Sequence, residues 1–428
     1  MCDGQTSTDK SQLYSNLPVK CHKFILPTDA ASRGFNADIT NCEYIGSYNW
    51  VSNHDDQSII VPGSPREWQE RPLPHYLRLD REGHYRDQYD PRMHSINLLP
   101  LLLSVNHWQE RTQPSEKYPW YDVDFITNRN SIRHLLRILR NQSSGSYDSR
   151  GITKDYSRGN FNNPSYSNPV RIDVELAGNK TILLNRWDST TFEPITRNSC
   201  GFNFENAFTR EADAVSALDS VSKDSGRHLR IVSYDFGGLH MVVRSEIDAC
   251  IPSAPQSSYD GPINEIVPSK SEQESSSSQQ ITTAFGLNII PSPNPPTPQS
   301  HLIELSTVST SKTTTFQTWN AKERYPQLFF SQVPNHYLAC HTKGLITQVR
   351  KRDIHTSPEI LFYQPIIQPQ FKTLRHLLHM IQMEVIKQSR RFPNVNSFSL
   401  VYENGQLSLF ERVGERCLPD EAFAMFNV

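Results

Sequence analysis

The sequence predicts an α+β chain: mixed, largely antiparallel sheets flanked by helices, interrupted by a long disordered insertion. Three observations predict it. Apolar runs recur in pairs around turn dipeptides, which is the signature of hairpins. Separate stretches carry apolar residues at helical spacing. One long segment has the composition of a chain that cannot fold.

Taken along the chain, residues 1–18 are polar and aperiodic, and they are expected to be disordered. The apolar run Leu98 to Val105 contains Pro100 and Ser104 and is too short to span a bilayer. Arg129 opens an amphipathic helix in which Ile132, Leu135, Leu136 and Leu139 form an apolar face. On the neighbouring face lie Arg129, Arg133, Arg137 and Arg140, readable either as a solvated basic face or as a row of phosphate contacts. Residues 142–168, rich in Ser, Asn, Gly and Tyr, read as a loop. Paired strands follow at 170–176 and 180–184 around Gly178, at 228–236 and 239–247 around Gly237-Gly238, at 337–340 and 345–349 around Lys343-Gly344, and at 399–402 and 406–410 around Asn404-Gly405. A helical pattern follows Glu205 (Phe208, Ala212, Val215, Leu218), and another runs through Leu374, Leu377, Leu378, Ile381 and Val385. Residues 252–300, with Ser275 to Ser278 and a proline-rich end, form the expected disordered insertion. Loop closure cost grows only logarithmically with length, so the strands on either side can still pair. The remainder, 19–428, reads as a single domain; 428 residues, 36% hydrophobic and 21% charged, bound it to one large or two ordinary domains.

The formal net charge of −2 excludes a general basic field for binding nucleic acid, so any such contact must be local. Seven scattered cysteines without a Cys-x-x-Cys pair point to reduced thiols in a nuclear or cytosolic protein rather than a disulfide framework or zinc site.

The chemistry-bearing residues are acids. In Gly237 to Asp248 a Gly-Gly turn feeds a strand that ends in Glu246 and Asp248, which share a face because side chains alternate. Adjacent carboxylates repel, and burying them is costly unless a proton or a hard cation such as Mg²⁺ intervenes. An isolated Glu-x-Asp is more plainly a solvated strand end. Two further acids lie among apolar residues, however: Glu304 in His301-Leu302-Ile303-Glu304-Leu305-Ser306-Thr307, and Glu205 in Gly201-Phe202-Asn203-Phe204-Glu205.

Taken together, these blocks resemble the Rai/DXO-type decapping nucleases, whose core is similar to that of the PD-(D/E)XK nucleases. The family's motifs are an Arg at a helix start, Gly-x-x-x-Glu, Glu-x-Asp, Glu-x-Lys, and a Gln on a later helix. They match Asp124 to Arg129, Gly201 to Glu205, Glu246 to Asp248, Glu304 to Ser306, and Pro326 to Gln332, over roughly residues 40 to 412. The resemblance implies that Glu205, Asp248, Glu304 and the main-chain carbonyl of Leu305 bind Mg²⁺ or Mn²⁺. It implies that Glu246 positions the attacking water and phosphate, and that Arg129 and Gln332 contact substrate. It implies a hydrolase that removes incomplete or unusual caps from RNA 5′ ends, releases pyrophosphate from 5′-triphosphate RNA and degrades RNA 5′ to 3′, in RNA quality control. One position departs: Ser306 stands where the family has its catalytic Lys, with Lys312 six residues on as a conceivable substitute. The alternative is therefore an RNA-binding paralogue with impaired chemistry, acting with a partner 5′–3′ exoribonuclease. Either protein would be nuclear, with a cytoplasmic pool as a second option, and neither needs a membrane. Ser306→Lys is expected to restore a missing charge worth about 10²–10³ in rate.

Overall fold

The computed structural model describes residues 10–51, 57–81, 84–85, 98–143, 169–188, 192–193, 199–211, 225–252, 282–309 and 320–427. Among them, a twelve-stranded and a seven-stranded sheet dominate. The strands of the larger sheet lie in the order Lys20–Lys23, Gln406–Glu411, Ser397–Glu403, Val170–Ala177, Thr181–Trp187, Phe125–Asn128, His240–Ile247, Ser225–Phe236, Ile39–Val51, Ser58–Val61, Leu287–Pro291, Thr282–Ala284. Phe125–Asn128 runs parallel to both neighbours and Leu287–Pro291 runs parallel to Ser58–Val61, while the other pairs are antiparallel. The smaller sheet runs Thr209–Arg210, Glu67–Trp68, Ala249–Cys250, Leu302–Ser309, Asn335–Thr342, Leu345–Asp353, His75–Tyr76.

All four expected hairpins are present, and the reason is local. Gly237 and Gly238 have φ of 57° and 84°, and Asn404 and Gly405 have 52° and 78°. Two successive left-handed residues make the tight turn that matches strand twist. A Cβ at Gly237 would also collide with the Asn36 carbonyl oxygen.

Helices cover both faces of the larger sheet. Helices Arg129–Ser143, Ala321–Ser331 and Pro358–Arg391 pack one face through Leu136, Leu328, Phe371 and Leu378. Helix Leu99–Thr112 and the turn Asp420–Phe426 pack the other through Leu102, Val105 and Phe426. His240–Ile247 therefore needs apolar residues on both sides: Met241, Val243 and Ile247 enter the first cluster and Val242 the second. The smaller sheet has its own core of Trp68, Phe204, Phe208, Ile303, Leu305 and Tyr337, closed by helix Gly201–Phe208.

Beyond Arg129, the arginine row converges on one carboxylate. Arg137 donates twice to Glu323 Oε2, at 2.9 and 2.6 Å. Arg133 and Arg140 each stand 3.5 Å from the same carboxylate. Burial pushes the Glu323 carboxyl up, but the bond from Arg137 and the charges of Arg137, Arg133 and Arg140 outweigh it and hold the pKa below the ordinary value. Glu323→Ala would leave three arginines facing one another. It is expected to lower unfolding free energy by about 3 kcal/mol, seen as a lower denaturant midpoint at unchanged slope.

The structure corrects several expectations. Within 252–300, Thr282–Ala284 and Leu287–Pro291 are strands at the sheet edge. Leu287, Ile289 and Ile290 are buried there, and the proline-rich stretch beyond is held by Arg111 Nη1 on Ser292 O (2.5 Å) and Arg230 Nη1 on Thr297 O (2.8 Å). The rest of that insertion, 253–281, lies outside the described residues, as do 144–168 of the expected loop. Within 1–18, Lys10–Leu13 is a helical turn with Leu13 fully buried against Val401 and Phe410. Glu205 sits inside helix Gly201–Phe208, not ahead of a helix; Ala212, Val215 and Leu218 lie outside the described residues. The last long helix starts at Pro358, sixteen residues before Leu374, and continues through Pro365 and Pro369. Cys21, Cys42, Cys200, Cys250, Cys340 and Cys417 are free thiols. No helix among the described residues is long and apolar enough to cross a membrane.

Candidate active site

The chain crosses from one sheet to the other at the Glu-x-Asp motif. Ile247 still pairs with His228 in the larger sheet, and Ala249 already pairs with Ile303 in the smaller one. Asp248 is the single residue between two ladders, and extending the Ala249–Ile303 register places it opposite Glu304. The Leu305 N–H donates to Asp248 Oδ2 at 2.7 Å. The pairing expected of the strands on either side of the insertion thus forms between 249–250 and 302–303.

Each acid is held by a different element. Arg129 Nη1 donates to Glu304 Oε2 at 2.8 Å, with both side chains buried, and Gln327 Nε2 donates to Glu304 Oε1. Arg227 pairs with Glu246 Oε1 at 3.0 Å and lies over the Phe202 ring. Glu205 is fixed by its helix, which Phe204 and Phe208 anchor in the core. Asp80 caps that helix, accepting from Asn203 N and Nδ2 (3.0 Å each) and from Ser199 Oγ (2.7 Å).

The four acids feel one another. Burial first, then the charge of Glu246, pushes the Glu205 carboxyl up to about 8; Arg227 opposes this, and Glu304 and Asp80 add to it. Burial, then Glu304, Glu205 and Glu246, raises Asp248 well above the ordinary carboxylate range, against the Leu305 amide. Ionised together, the four acids would carry more negative charge than Arg129 and Arg227 offset. Their donors are all oxygen, the set a hard divalent cation prefers. Glu205, Asp248 and Glu304 fit such a cation on those grounds. The side chains are not drawn into a ready cage, however: among the described residues no three His, Cys, Asp or Glu groups form one. Arg129 and Gln327 occupy Glu304, and the Leu305 amide occupies Asp248.

A pH dependence follows. The folded, metal-free protein keeps a proton on Glu205 that the unfolded chain, near 4.5, has released. The stability this proton provides is fully present below about pH 4.5 and is lost as pH rises through about 8. In EDTA the thermal midpoint is expected to fall between about pH 6 and pH 8.5, and Glu205→Gln should flatten that fall. An unchanged slope in Glu205→Gln would contradict the assignment.

Two residues expected to contact substrate are placed differently. Arg129 is buried in an ion pair with Glu304, so it braces an acid. Gln332 has left-handed backbone (φ 54°) at the helix end, donates to Phe329 O at 2.6 Å and lines a cavity with Asp38, Tyr325 and Gln364. The glutamine that reaches the acids is Gln327, five residues earlier. Ser306 lies beside the acids on the Glu304 strand, with Oγ 2.7 Å from His336 Nε2. Lys312 lies outside the described residues. Sequence reasoning also missed Asp80 and Arg227, which belong to no motif. Gln327 and Arg324 had a signal, since three residues apart on a helix they share a face.

A family profile described as Domain of unknown function (DUF8563) matches residues 25–150 and 155–424, and the chain belongs to that family. No curated protein matches it by sequence. Solved structures share its fold. S. pombe Rai1 in complex with 3′-FADP is 12% identical, with 92% of this chain and 99% of that one covered, at a TM-score of 0.52. Candida albicans Rai1 in complex with pU5-Mn2+ is 12% identical, with 95% and 99% covered, at 0.53. K. lactis Dxo1 in complex with manganese is 9% identical, with 92% and 97% covered, at 0.50. At these identities the likeness concerns the fold, and the resemblance to the Rai/DXO-type nucleases holds at that level.

Proposed function

We propose that the protein is a divalent-metal-dependent hydrolase of RNA 5′ ends. The observation that carries this reading is the meeting of Glu205, Glu246, Asp248 and Glu304 at the seam between the two sheets. The fold shared with Rai1 and Dxo1, whose structures hold pU5-Mn2+ and manganese, supports it.

Glu205, Asp248, Glu304 and the main chain of Leu305 would hold Mn²⁺ or Mg²⁺, which would supply water activation and stabilisation of the leaving oxygen in an in-line displacement. The chain's own groups do the rest. Glu246, oriented by Arg227, aligns the attacking water with the phosphorus. Arg129 and Gln327 fix the plane of the Glu304 carboxylate. The substrates we propose are incompletely capped, NAD-capped and 5′-triphosphate RNAs, hydrolysed at the pyrophosphate or the first phosphodiester, in the nucleus.

A second reading, RNA binding without turnover beside a partner exoribonuclease, is favoured by the serine at 306. Incubation with 5′-labelled capped, triphosphate and monophosphate RNAs in Mn²⁺ or EDTA separates the two. Metal-dependent release of label from at least one end supports the hydrolase. Intact RNA throughout, with retained binding, supports the second reading.

A further inference from the structure

Helix Ala321–Ser331 presents Arg324 and Gln327 one turn apart on one face. Gln327 reaches Glu304. Arg324 reaches further along the same strand: Nη2 lies 3.3 Å from Thr307 O, and Nη1 lies 3.4 Å from His336 Nε2, which in turn lies 2.7 Å from Ser306 Oγ. Those contacts are long for a group with five donors. Arg129, Arg227, Arg133, Arg137 and Arg140 are all committed to carboxylates. Among the described residues, Arg324 has no carboxylate within ion-pairing distance.

We infer that Arg324 is the phosphate-binding cation of this site, receiving phosphoryl oxygens of the RNA 5′ end beside Ser306. This rests on the 5′-end reading above. A guanidinium presents paired N–H groups that match a phosphate's oxygens. Burial lowers Arg324 to about 10, against the pull of Glu304, so it remains a cation at neutral pH. Burial, then Arg324 and Arg352, hold His336 far below its ordinary value and hence neutral. A histidine so placed is too weak a base to activate Ser306 as a nucleophile. Its Nε2 lies within reach of both the Ser306 hydroxyl and the Arg324 guanidinium and so tethers the guanidinium beside the acids. The charge deficit expected at Ser306 is thus filled from the helix. Lysine at 306 would stand against Arg324, so Ser306→Lys alone brings no gain.

The test is equilibrium binding, in EDTA, of fluorescent oligoribonucleotides bearing a 5′-phosphate or a 5′-hydroxyl. The variants are Arg324→Gln, Arg324→Lys, Ser306→Lys and the double variant Arg324→Gln with Ser306→Lys. Wild type should prefer the 5′-phosphate about tenfold or more, a charge-assisted contact's worth. Arg324→Gln should erase that preference and leave 5′-hydroxyl affinity unchanged. Arg324→Lys should keep part of it, and the double variant should regain it. Arg324→Gln that retains the preference, or loses both ligands equally while Arg324→Lys does the same, would overturn the inference alone. A wild type that binds both ends alike would overturn the 5′-end reading itself.

Discussion

Asp248→Asn is expected to make the metal-free protein more stable and deaf to Mn²⁺. Asp248 is a buried acid raised well above its ordinary range by burial and by Glu304, Glu205 and Glu246. Without a cation, keeping it buried costs the fold either that charge or the uptake of a proton, and an amide costs neither. An amide at this position can still accept the Leu305 N–H, so the seam between the sheets stays closed. The expected gain is about 1 kcal/mol in EDTA, of the size seen when a functional site is relaxed. The expected loss in Mn²⁺ affinity is about 100-fold or more, since removing even a group behind a ligand costs about 10–100-fold. Thermal denaturation with and without Mn²⁺ reads both. An Asp248→Asn protein that is less stable in EDTA, or that Mn²⁺ still stabilises, would show that the carboxylate is structural.

Glu304→Ala is expected to have the opposite effect on the fold. Two forces compete there. Removing Glu304 relieves its repulsion of Asp248 and Glu205. It also strands Arg129, whose side chain is 8% exposed and whose carboxylate partner it is. The second effect wins, because the raised acids can relieve their repulsion by taking up protons, whereas a guanidinium cannot shed its charge. Breaking a buried pair costs about 3–5 kcal/mol, a large share of the roughly 5–15 kcal/mol that holds a domain folded. Glu304→Gln keeps an acceptor for Arg129 and should lose clearly less. Equilibrium denaturation of the two variants decides the matter; equal midpoints would mean that the ion pair does not brace the site.

The sequence revealed what local chemistry dictates. Asn404-Gly405 and Gly237-Gly238 announced their hairpins because two left-handed residues are a local demand. Strand alternation put Glu246 and Asp248 on one face, and apolar flanks marked Glu304 as an acid in need of a partner. What stayed hidden depends on contacts distant in sequence. Helical spacing could not say which glutamine meets Glu304, because that depends on how helix Ala321–Ser331 rotates onto the strand. The partner of Arg129 lies 175 residues away, so no local pattern could announce the ion pair. Leu287-Asn288-Ile289-Ile290 was lost in a Ser- and Pro-rich stretch, yet it gains a ladder from Ser58–Val61. Arg324 belongs to no motif of the resemblance, and only the neighbouring His336 and Ser306 give it a meaning.

Whether these acids hold a cation is asked most directly by calorimetric titration of Mn²⁺ near pH 7, in two buffers of different ionisation enthalpy. Glu205, at about 8, is mostly protonated there, so a cation entering the cluster must displace that proton. The expected result is saturable binding with release of at least one proton, read from the buffer dependence of the enthalpy, and weaker binding with less proton release in Glu205→Gln. Binding of equal affinity in wild type and Glu205→Gln, or binding with no proton released, would contradict the account.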